Sequence, residues 1–389
     1  MMGNWKTCTI GDLGTVVGGA TPSTKKTENY DGGTISWITP KDLAGFSGRF
    51  ISQGERNITE QGLKSCSTQL MPAHTVLFSS RAPIGYIAIA NQKVCTNQGF
   101  KSVVPNEDTD YMFLYYLLKY NKNKIENLGS GTTFKEVSRS TMRGIEVSVP
   151  KTIEEQRQIA SVLSALDDKI EKNTEVNKNL VEQAQALYKD RFVDLHSFNG
   201  EMPPDWHLGE VSEIIELHDS KRIPLSSRER ASLAKIYPYY GATSVMDYVD
   251  RYLFDGIYLL LGEDGTVVDN NGFPILQYVE GKFWVNNHAH IITGKNGFTV
   301  EMLYLLFSLT NVQSIITGAV QPKISQTNLN KMPIVIPSEA ELSDFNSVIQ
   351  PIFAQIRNLR AQNDRLVVTR DTLLPRLMSG ELDVSNLDL

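Results

Sequence analysis

The chain has 389 residues, of which 21% are charged, and its formal net charge is −6. This length is enough for two or three domains, each with its own core. Its three cysteines are far apart and no apolar run approaches the ~18 residues of a membrane span, which excludes a disulfide-rich scaffold and an integral membrane protein. Because the chain also has no signal-like start, we expect a reduced, cytoplasmic protein with no membrane partner.

The first 151 residues predict short strands, many turns and a helix over Tyr111 to Tyr120. The strands are bounded by Gly, Pro and Asn and are expected at 35–38, 76–78, 86–89 and 147–149. After the last strand, Thr152 is followed three residues later by Glu155. This spacing is that of a capping box and predicts the start of a long helix.

Residues 201–337 predict a similar order of elements for a second time. Strands are expected at 258–261, 275–279, 282–285 and 334–336, and a helix at 300–308. Ser338 and Glu341 then repeat the capping pattern. A second long helix is therefore expected to begin at this point.

Both long helices carry a seam of mostly apolar residues. The seam runs from Ile159 to Leu187 in steps of four and three, and it recurs from Phe345 to Leu373 at an offset of 186 residues. Such steps are typical of the a and d positions of a coiled coil. Asn177 and Asn363 occupy equivalent seam positions, where a polar residue costs stability but specifies register and partner. We therefore expect the two helices to form one specified pair.

The repeat extends through the strands and loops. Lys93 to Asn97 matches Lys282 to Asn286 at an offset of 189 residues, and Gly131 to Ser138 matches Gly318 to Ser325 at an offset of 187. A period this long indicates duplicated domains rather than a solenoid. The expected organisation is a first module (1–151), a first long helix (152–200), a second module (201–337) and a second long helix (338–389).

Six motifs occur in a fixed order along the chain. They are Ser36 to Leu43, Phe78 to Gly85, Pro150 to Ile159, Tyr237 to Thr243, Leu261 to Gly265 and Leu373 to Leu382. Together they resemble the specificity subunit of type I restriction-modification systems (HsdS) over essentially the whole chain. The start of the second long helix, around Glu341, departs from the usual pattern of that family.

The resemblance implies an α/β (α+β) protein with two target recognition domains joined by two long helices. Because a repeated module that closes on itself makes a pseudo-twofold, we expect the helices to pack as an antiparallel, coiled-coil-like pair. The implied partners are double-stranded DNA, two modification (adenine methyltransferase) subunits and, in the full complex, restriction or motor subunits. Each domain would read one half of a bipartite site. No cofactor, metal or catalytic residue is expected.

Candidate DNA contacts follow from the chemistry of DNA. Phosphates are bound by Lys, Arg, small hydroxyls and backbone amides, and base edges are read by planar groups such as those of Arg, Gln and Asn. The candidates in the first module are Lys25, Lys26, Lys41, Ser80, Arg81, Thr132 and Lys135. Those in the second are Lys221, Arg222, Tyr240, Thr243, Gln321 and Lys323. The alternative for each is an ordinary solvated surface residue.

The two modules differ in charge. Residues 1–151 contain 17 Lys and Arg against 12 Asp and Glu, which is +5, whereas residues 201–337 contain 10 against 15, which is −5. Neutralisation of the DNA backbone supplies much of DNA affinity. We therefore expect partner subunits to supply part of the basic surface, and the chain alone to bind DNA weakly.

Two other functions remain open. A metal-dependent nuclease could use Asp269, Glu280 and Lys282, because an acidic residue followed by Glu-x-Lys can hold a divalent cation and position a water. A non-DNA scaffold could use the duplicated modules to bind proteins. His288 and His290 could bind zinc, but without a nearby third ligand a structural or surface role is favoured.

Methyl transfer and motor activity are excluded by missing motifs. The chain has no Gly-rich cofactor loop of dinucleotide type and no Gly-Lys-Ser/Thr phosphate loop. It also lacks an Asn/Asp-Pro-Pro tetrapeptide that ends in an aromatic residue, since Pro203-Pro204 is flanked by Met202 and Asp205. We therefore expect a non-catalytic chain.

Overall fold

The computed structural model describes residues 5–131, 135–318 and 320–384. The fold is mixed α/β, and the chain divides into two compact units. The first unit contains the chain up to Lys172 and the segment from Asn363 onward, and the second unit is Asn173–Gln362. Each long helix thus contributes to both units, whereas the sequence analysis assigned each helix to a segment of its own.

The first unit is built on a five-stranded sheet in the order β2-β9-β6-β7-β4 and a three-stranded sheet in the order β5-β3-β8. Its strands are β1 (Trp5–Thr9), β2 (Gly14–Gly18), β3 (Ile35–Ile38), β4 (Phe50–Ile51), β5 (Arg56–Ile58), β6 (Val76–Ser80), β7 (Ile84–Ala90), β8 (Cys95–Thr96), β9 (Lys101–Pro105) and β10 (Glu146–Pro150). Its helices are α1 (Ile10–Leu13), α2 (Glu60–Lys64), α3 (Tyr111–Tyr120), α4 (Lys122–Asn127), α5 (Arg139–Arg143) and the first part of α6 (Ile153–Tyr188).

The second unit is built on a six-stranded sheet in the order β12-β17-β15-β16-β13-β14. Its strands are β11 (His207–Glu210), β12 (Ile215–Leu217), β13 (Tyr237–Tyr240), β14 (Val245–Val249), β15 (Phe254–Gly262), β16 (Leu276–Val285), β17 (Ala289–Gly294), β18 (Ile316–Thr317), β19 (Lys323–Ile324) and β20 (Pro333–Ile336). Its helices are α7 (Ser227–Ala231), α8 (Val300–Ser308), α9 (Gln326–Asn330) and most of α10 (Glu339–Met378).

A short apolar helix completes the core of each unit, with the limits that the sequence predicts. Asp110 begins α3, where its carboxylate accepts a hydrogen bond from the Phe113 N–H at 2.9 Å. Thr299 begins α8 in the same way, accepting from the Met302 N–H at 3.3 Å. Such caps satisfy backbone donors that have no partner inside the helix. Both helices are buried over most of their length because nearly all of their side chains are apolar.

Strand registers show that both units use one backbone framework. Val76 of β6 pairs with Ile89 of β7, and Leu259 of β15 pairs with Tyr278 of β16. The corresponding residues are therefore 183 and 189 positions apart along the chain. The parallel pairs β3-β8 and β13-β16 are also equivalent, with the same 189-residue offset in the second strand of each pair. These registers confirm the duplication predicted from the sequence.

The two long helices add apolar side chains to the core of each unit. In the first unit Leu163 of α6 belongs to the same buried cluster as Leu374 of α10. In the second unit Ala184 of α6 belongs to a cluster with Ile349 of α10. The early part of α6 thus shares a core with the late part of α10, and the late part of α6 with the early part of α10.

Polar seam residues add hydrogen bonds between the long helices. Asn363 Nδ2 donates to the Ile170 carbonyl at 3.3 Å in the first unit, and Asn173 Nδ2 donates to Gln362 Oε1 at 2.7 Å in the second. Asn177 is half-buried, and its Oδ1 has no hydrogen-bond partner among the described residues. A register-setting role for Asn177 stays a prediction, whereas Asn173 makes a seam contact that the sequence analysis did not single out.

Some local predictions change in the structure. The strands expected at 275–279 and 282–285 form the single strand β16, which passes through Gly281 at a φ of +83°, a conformation that glycine adopts readily. Helix α6 follows Thr152 as predicted, and the Thr152 hydroxyl accepts from the Glu155 N–H at 3.3 Å. Glu341, the expected partner of the second capping box, instead forms an ion pair with Arg191. Within the described ranges, no helix is long and apolar enough to cross a membrane.

Candidate nucleic-acid interface

An open cleft of about 510 Å³ lies on the first unit at the ends of several strands. Its walls come from the segment after β3, the turn between β6 and β7, the loop after β8 and the segment before α5. The lining residues are Thr39, Pro40, Lys41, Arg81, Ala82, Asn97, Gly99 and Glu136. The cleft therefore brings together two of the cations predicted to contact DNA.

Arg81 is held at this cleft by the turn that carries it. The Ser79 hydroxyl accepts a hydrogen bond from the Tyr86 N–H and donates one to the Pro83 carbonyl, both at 2.8 Å. Arg81 Nη1 lies 3.6 Å from a carboxylate oxygen of Glu136, and the arginine side chain is 34% exposed. Arg81 thus keeps donor groups available to solvent while its direction is constrained.

Lys41 lies in the short turn after β3. Thr39 and Asp42 fix the start of that turn, because the Asp42 carboxylate accepts hydrogen bonds from the Thr39 N–H and hydroxyl, both at 2.7 Å. Lys41 Nζ donates to Glu55 at 2.7 Å, and this contact raises the pKa of the lysine. Because its side chain is 79% exposed, Lys41 is a solvated cation.

Gly99 keeps the cleft open. A Cβ atom at this position would lie 2.7 Å from Pro40 Cγ and 2.9 Å from Asn97 Oδ1. Asn97 Oδ1 accepts a hydrogen bond from the Gly99 N–H at 2.8 Å, which orients the amide of Asn97. Asn97 therefore presents its amide to the cleft in a fixed orientation, a feature that the sequence analysis noted only as part of the repeat.

The predicted DNA contact of Ser80 is wrong. Ser80 is completely buried, because both faces of β6 are covered. Its hydroxyl donates to the Gly99 carbonyl at 3.2 Å and lies 3.3 Å from Lys101 Nζ, which also donates to Glu136 at 3.0 Å. Ser80 thus supports the cleft from below. Lys101 and Glu136, which the sequence analysis did not propose, complete this polar layer.

The other candidates of the first module lie outside this cleft or outside the described residues. Lys25, Lys26 and Lys135 are exposed side chains in turns and loops, where a contact with DNA is sterically open. Thr132 lies outside the described residues. Whether any of these four residues binds DNA remains a prediction.

The second unit contains a nearly buried polar cluster beneath its sheet edge. His290 Nδ1 lies 2.6 Å from Asp219 Oδ2, and its Nε2 lies 2.8 Å from the Ile324 carbonyl oxygen. Both neighbours are acceptors, so both ring nitrogens must carry hydrogen in this arrangement. Burial alone would raise the pKa of Asp219, but the hydrogen bond with His290 outweighs burial and leaves that pKa lowered.

Arg222 belongs to this cluster, which corrects its prediction as a DNA contact. Its Nη1 donates to Glu263 at 2.6 Å and to the Ala289 carbonyl at 2.8 Å, and its side chain is only 13% exposed. A DNA contact would require these bonds to break. Glu263 accepts a second cation, Lys323, at 3.1 Å. Lys323 itself is 48% exposed and can still reach solvent.

The same cluster has the composition of a metal site but not its chemistry. Potential ligand atoms of Asp219, Glu263 and His290 lie within 4.8 Å of one another. A metal needs a free lone pair on the imidazole, whereas both nitrogens of His290 face acceptors. Two cations, Arg222 and Lys323, already neutralise Glu263. The cluster is therefore an internal ion-pair network.

The remaining candidates of the second module differ in exposure. Tyr240 is half-buried and packs edge-on against the Phe283 ring, with centroids 5.8 Å apart. Lys221, Thr243 and Gln321 are exposed. These three remain available for DNA, whereas Tyr240 supports the sheet with most of its ring.

The nuclease triad is not assembled. The Asp269 carboxylate caps its own turn, accepting from the N–H groups of Asn271 and Phe273 at 2.8 and 2.9 Å. Glu280 lies 3.8 Å from Arg357, and Lys282 stacks over the Tyr252 ring at 4.7 Å. Among the described residues, no cluster of metal-ligating groups includes Asp269 or Glu280.

Comparison with known proteins identifies the family. The model of the type I restriction modification DNA specificity domain matches residues 2–182 and 203–364. The type I restriction enzyme MjaIX specificity subunit of Methanocaldococcus jannaschii is 34% identical, over 99% of this chain and 95% of its own length. The EcoR124I/EcoR124II specificity subunit of Escherichia coli is 29% identical over 48% of this chain and 46% of its own length.

A solved structure has the same fold. The type I restriction-modification S subunit from M. genitalium superposes with a TM-score of 0.57 at 18% identity, covering 96% of each chain. Together with the domain match over most of the sequence, these similarities show that the chain belongs to the type I restriction-modification specificity family.

Proposed function

We propose that this chain is the non-catalytic DNA recognition subunit of a type I restriction-modification complex. Each module, 1–151 and 201–337, reads one half of a bipartite site in double-stranded DNA. The observation that carries this proposal is the open cleft of the first unit, where Arg81 and Lys41 present donors to solvent. Arginine pairs with guanine O6 and N7, and lysine binds phosphate, so both levels of DNA recognition have a candidate group.

The duplicated framework supports a bipartite target. The same strand pairs and the same short helices before β10 and β20 recur in both units. A single short site would need only one such reader. Two readers on one chain match a target with two half-sites separated by bases that are not read.

We propose that the long helices, 152–200 and 338–389, pair as an antiparallel, coiled-coil-like bundle with pseudo-twofold symmetry. The reversed order in which α6 and α10 enter the two cores supports this arrangement. The seam from Ile159 to Leu187 covers about 43 Å at ~1.5 Å per residue, or roughly 13 base pairs at ~3.4 Å each. The helices would thus set the spacer between the half-sites.

The partners follow from the family and from the charge of the chain. We propose that two modification subunits dock on the assembled chain, with restriction subunits in the full complex. The second module carries a net charge of −5 and its Arg222 is engaged internally. Partner subunits would therefore supply part of the cationic surface that holds DNA.

A domain exchange tests this function. Residues 201–337 are replaced by the second module of another family member, and methylation by the complex is mapped across a genome. One half of the target should change while the other half and the spacer persist. Protection of the original site in both halves would contradict the proposal, and binding of proteins without any DNA selection would favour the scaffold alternative.

A helix insertion tests the proposed spacer. Seven residues inserted after Leu180 add two turns and keep the seam on the same face, lengthening α6 by about 10 Å, or roughly three base pairs. The half-sites should persist and the spacer should grow. A two-residue insertion rotates the seam by ~200° and serves as the disruptive control. An active seven-residue variant with its original spacer would show that the helices do not set this distance.

A further inference from the structure

The cleft of the first unit has a counterpart in the second that the backbone identifies. The Ser80 N–H donates to the Gly99 carbonyl at 2.7 Å, and the Glu263 N–H donates to the His288 carbonyl at 2.9 Å. Because these bonds lie at equivalent places in the two frameworks, Gly99 corresponds to His288, at the 189-residue offset of the repeat. The position that keeps the first cleft open therefore carries an imidazole in the second unit.

Two further bonds define the opposite wall of this counterpart. The Val137 N–H donates to the Ser80 carbonyl at 3.0 Å, and the Ile324 N–H donates to the Glu263 carbonyl at 2.9 Å. Residues next to these donors and acceptors correspond as well. Arg81 is thus replaced by Asp264, and Glu136 is replaced by Lys323.

The charges at this wall are inverted between the units. In the first unit the cation lies on the strand-end turn and the anion on the facing loop, as the Arg81–Glu136 pair. In the second unit the anion Asp264 lies on the strand end and the cation Lys323 on the facing loop, joined by a backbone bridge. The same frame therefore offers different hydrogen-bonding groups to whatever enters each cleft.

His288 has a defined orientation in this setting. Its Nδ1 is hydrogen-bonded to the Asp264 carboxylate, and the side chain is 44% exposed. The main chain is fixed too, since the His288 N–H donates to Asn286 Oδ1 at 2.8 Å, just as the Gly99 N–H donates to Asn97 Oδ1. A carboxylate only accepts, so Nδ1 carries the hydrogen and Nε2 of the neutral ring is an acceptor.

We propose that His288, oriented by Asp264, is a specificity-determining residue of the second module and accepts a hydrogen bond from a base amino group. This inference rests on the proposed DNA recognition. Arg81, at the corresponding wall of the first module, can only donate and so selects base acceptors such as guanine O6 and N7. In the major groove the amino groups are adenine N6 and cytosine N4. The two modules would thus read opposite hydrogen-bonding groups through one frame.

The first experiment locates the base that His288 reads. The full chain with its modification subunits selects binding sites from a randomised duplex pool, for the wild type and for His288→Ala. One base position in the half-site of the second module should lose its preference, and the first half-site should be unchanged. His196→Ala is the matched control, because His196 is also exposed and paired with an aspartate, Asp190, at 2.8 Å.

The second experiment tests the acceptor role. At the position found, the base is replaced by an analogue without its amino group, purine for adenine or 2-pyrimidinone for cytosine. The wild-type complex should lose roughly three- to tenfold in affinity, the usual effect of one hydrogen bond, and His288→Ala should lose nothing further. Asp264→Leu should resemble His288→Ala, whereas Asp264→Asn, which can still accept from Nδ1, should retain most of the preference.

The outcomes separate this inference from the proposed function. A wild-type complex that selects no bipartite sequence would contradict DNA recognition itself. A wild type that selects a site, with His288→Ala selecting the same bases equally well, would overturn only the role of His288. Sensitivity to 7-deaza-guanine in place of amino deletion at that position would show a donor and would also overturn the inference.

Discussion

The first unit keeps its cations at the mouth of an open cleft, whereas the second unit draws corresponding polar groups into a nearly buried network. Arg81 is 34% exposed and pairs with one carboxylate, while Arg222 is 13% exposed and bonds Glu263 and backbone carbonyls. The frames beneath them share main-chain hydrogen bonds. Because such a frame uses only backbone groups, its side chains can change from Gly to His or from Arg to Asp without loss of the fold.

This difference has an energetic consequence. Exposed ion pairs such as Lys41–Glu55 contribute little to stability, about 0 to 1 kcal/mol, and leave their charges available to a ligand. A buried network is costly to desolvate and holds only when every member is present. We therefore expect substitutions in the second unit to affect folding and those in the first cleft to affect DNA binding.

The largest expected effect is that of Asp219→Ala. This change leaves the buried His290 and Arg222 without their shared carboxylate, and breaking such a buried pair costs about 3–5 kcal/mol. Unfolding by denaturant, monitored by circular dichroism, would measure the loss of stability. Glu55→Ala is the matched control in the first unit and should change stability by less than ~1 kcal/mol. Equal effects of both changes would remove the contrast drawn between the units.

The same network predicts a dependence on pH. Asp219 and Glu263 have pKa values lowered by their cationic partners despite burial. Their contribution to stability is therefore present above the ordinary carboxyl range of about pH 4 and is lost as the pH falls through the lowered values. Denaturant unfolding at pH 7 and below pH 4 would show a smaller loss for Asp219→Asn than for the wild type. Parallel profiles would place the acid sensitivity elsewhere.

Much of this arrangement could be predicted from the sequence, because it depends on local patterns. The limits of α3 follow from an apolar run after Asp110, and the start of α6 follows from Thr152 and Glu155. Arg81 and Lys41 were found because motifs near turns mark exposed polar groups. The offset of 189 residues that joins Lys93 to Lys282 also joins Gly99 to His288, so that correspondence was already present in the sequence.

The remaining features depend on partners distant in the chain. Ser80 alternates with no polar signal that would mark β6 as covered on both faces, so its burial could not be predicted. Arg222 meets Glu263 across 41 residues, and nothing in either local pattern indicates that pair. The correspondence of Arg81 with Asp264 was hidden because the charge is inverted. A comparison of residue types cannot align groups whose chemistry is opposite.

A smaller effect, confined to DNA recognition, is expected for Arg81→Ala. Loss of a guanine contact should cost about 1–3 kcal/mol at one base position of the first half-site and relax its specificity. Binding of the complex to a set of single-base variants would measure this cost. Arg157→Ala is the control, since Arg157 is 61% exposed and also pairs with a carboxylate, that of Asp110. A uniform loss across all variants would assign Arg81 to a phosphate instead.

The smallest effect is expected for Lys41, where the comparison between available and engaged cations can be reversed in sign. If Lys41 binds phosphate, Lys41→Ala should weaken all DNA sequences evenly and lower the salt slope of binding by about one. Glu55→Ala should act in the opposite direction, because it removes the carboxylate that Lys41 Nζ contacts at 2.7 Å and leaves the ammonium free for DNA. Titrations at several salt concentrations would measure both. Identical salt slopes for the two variants and the wild type would return Lys41 to the solvated surface and leave Arg81 as the cation of this cleft that contacts DNA.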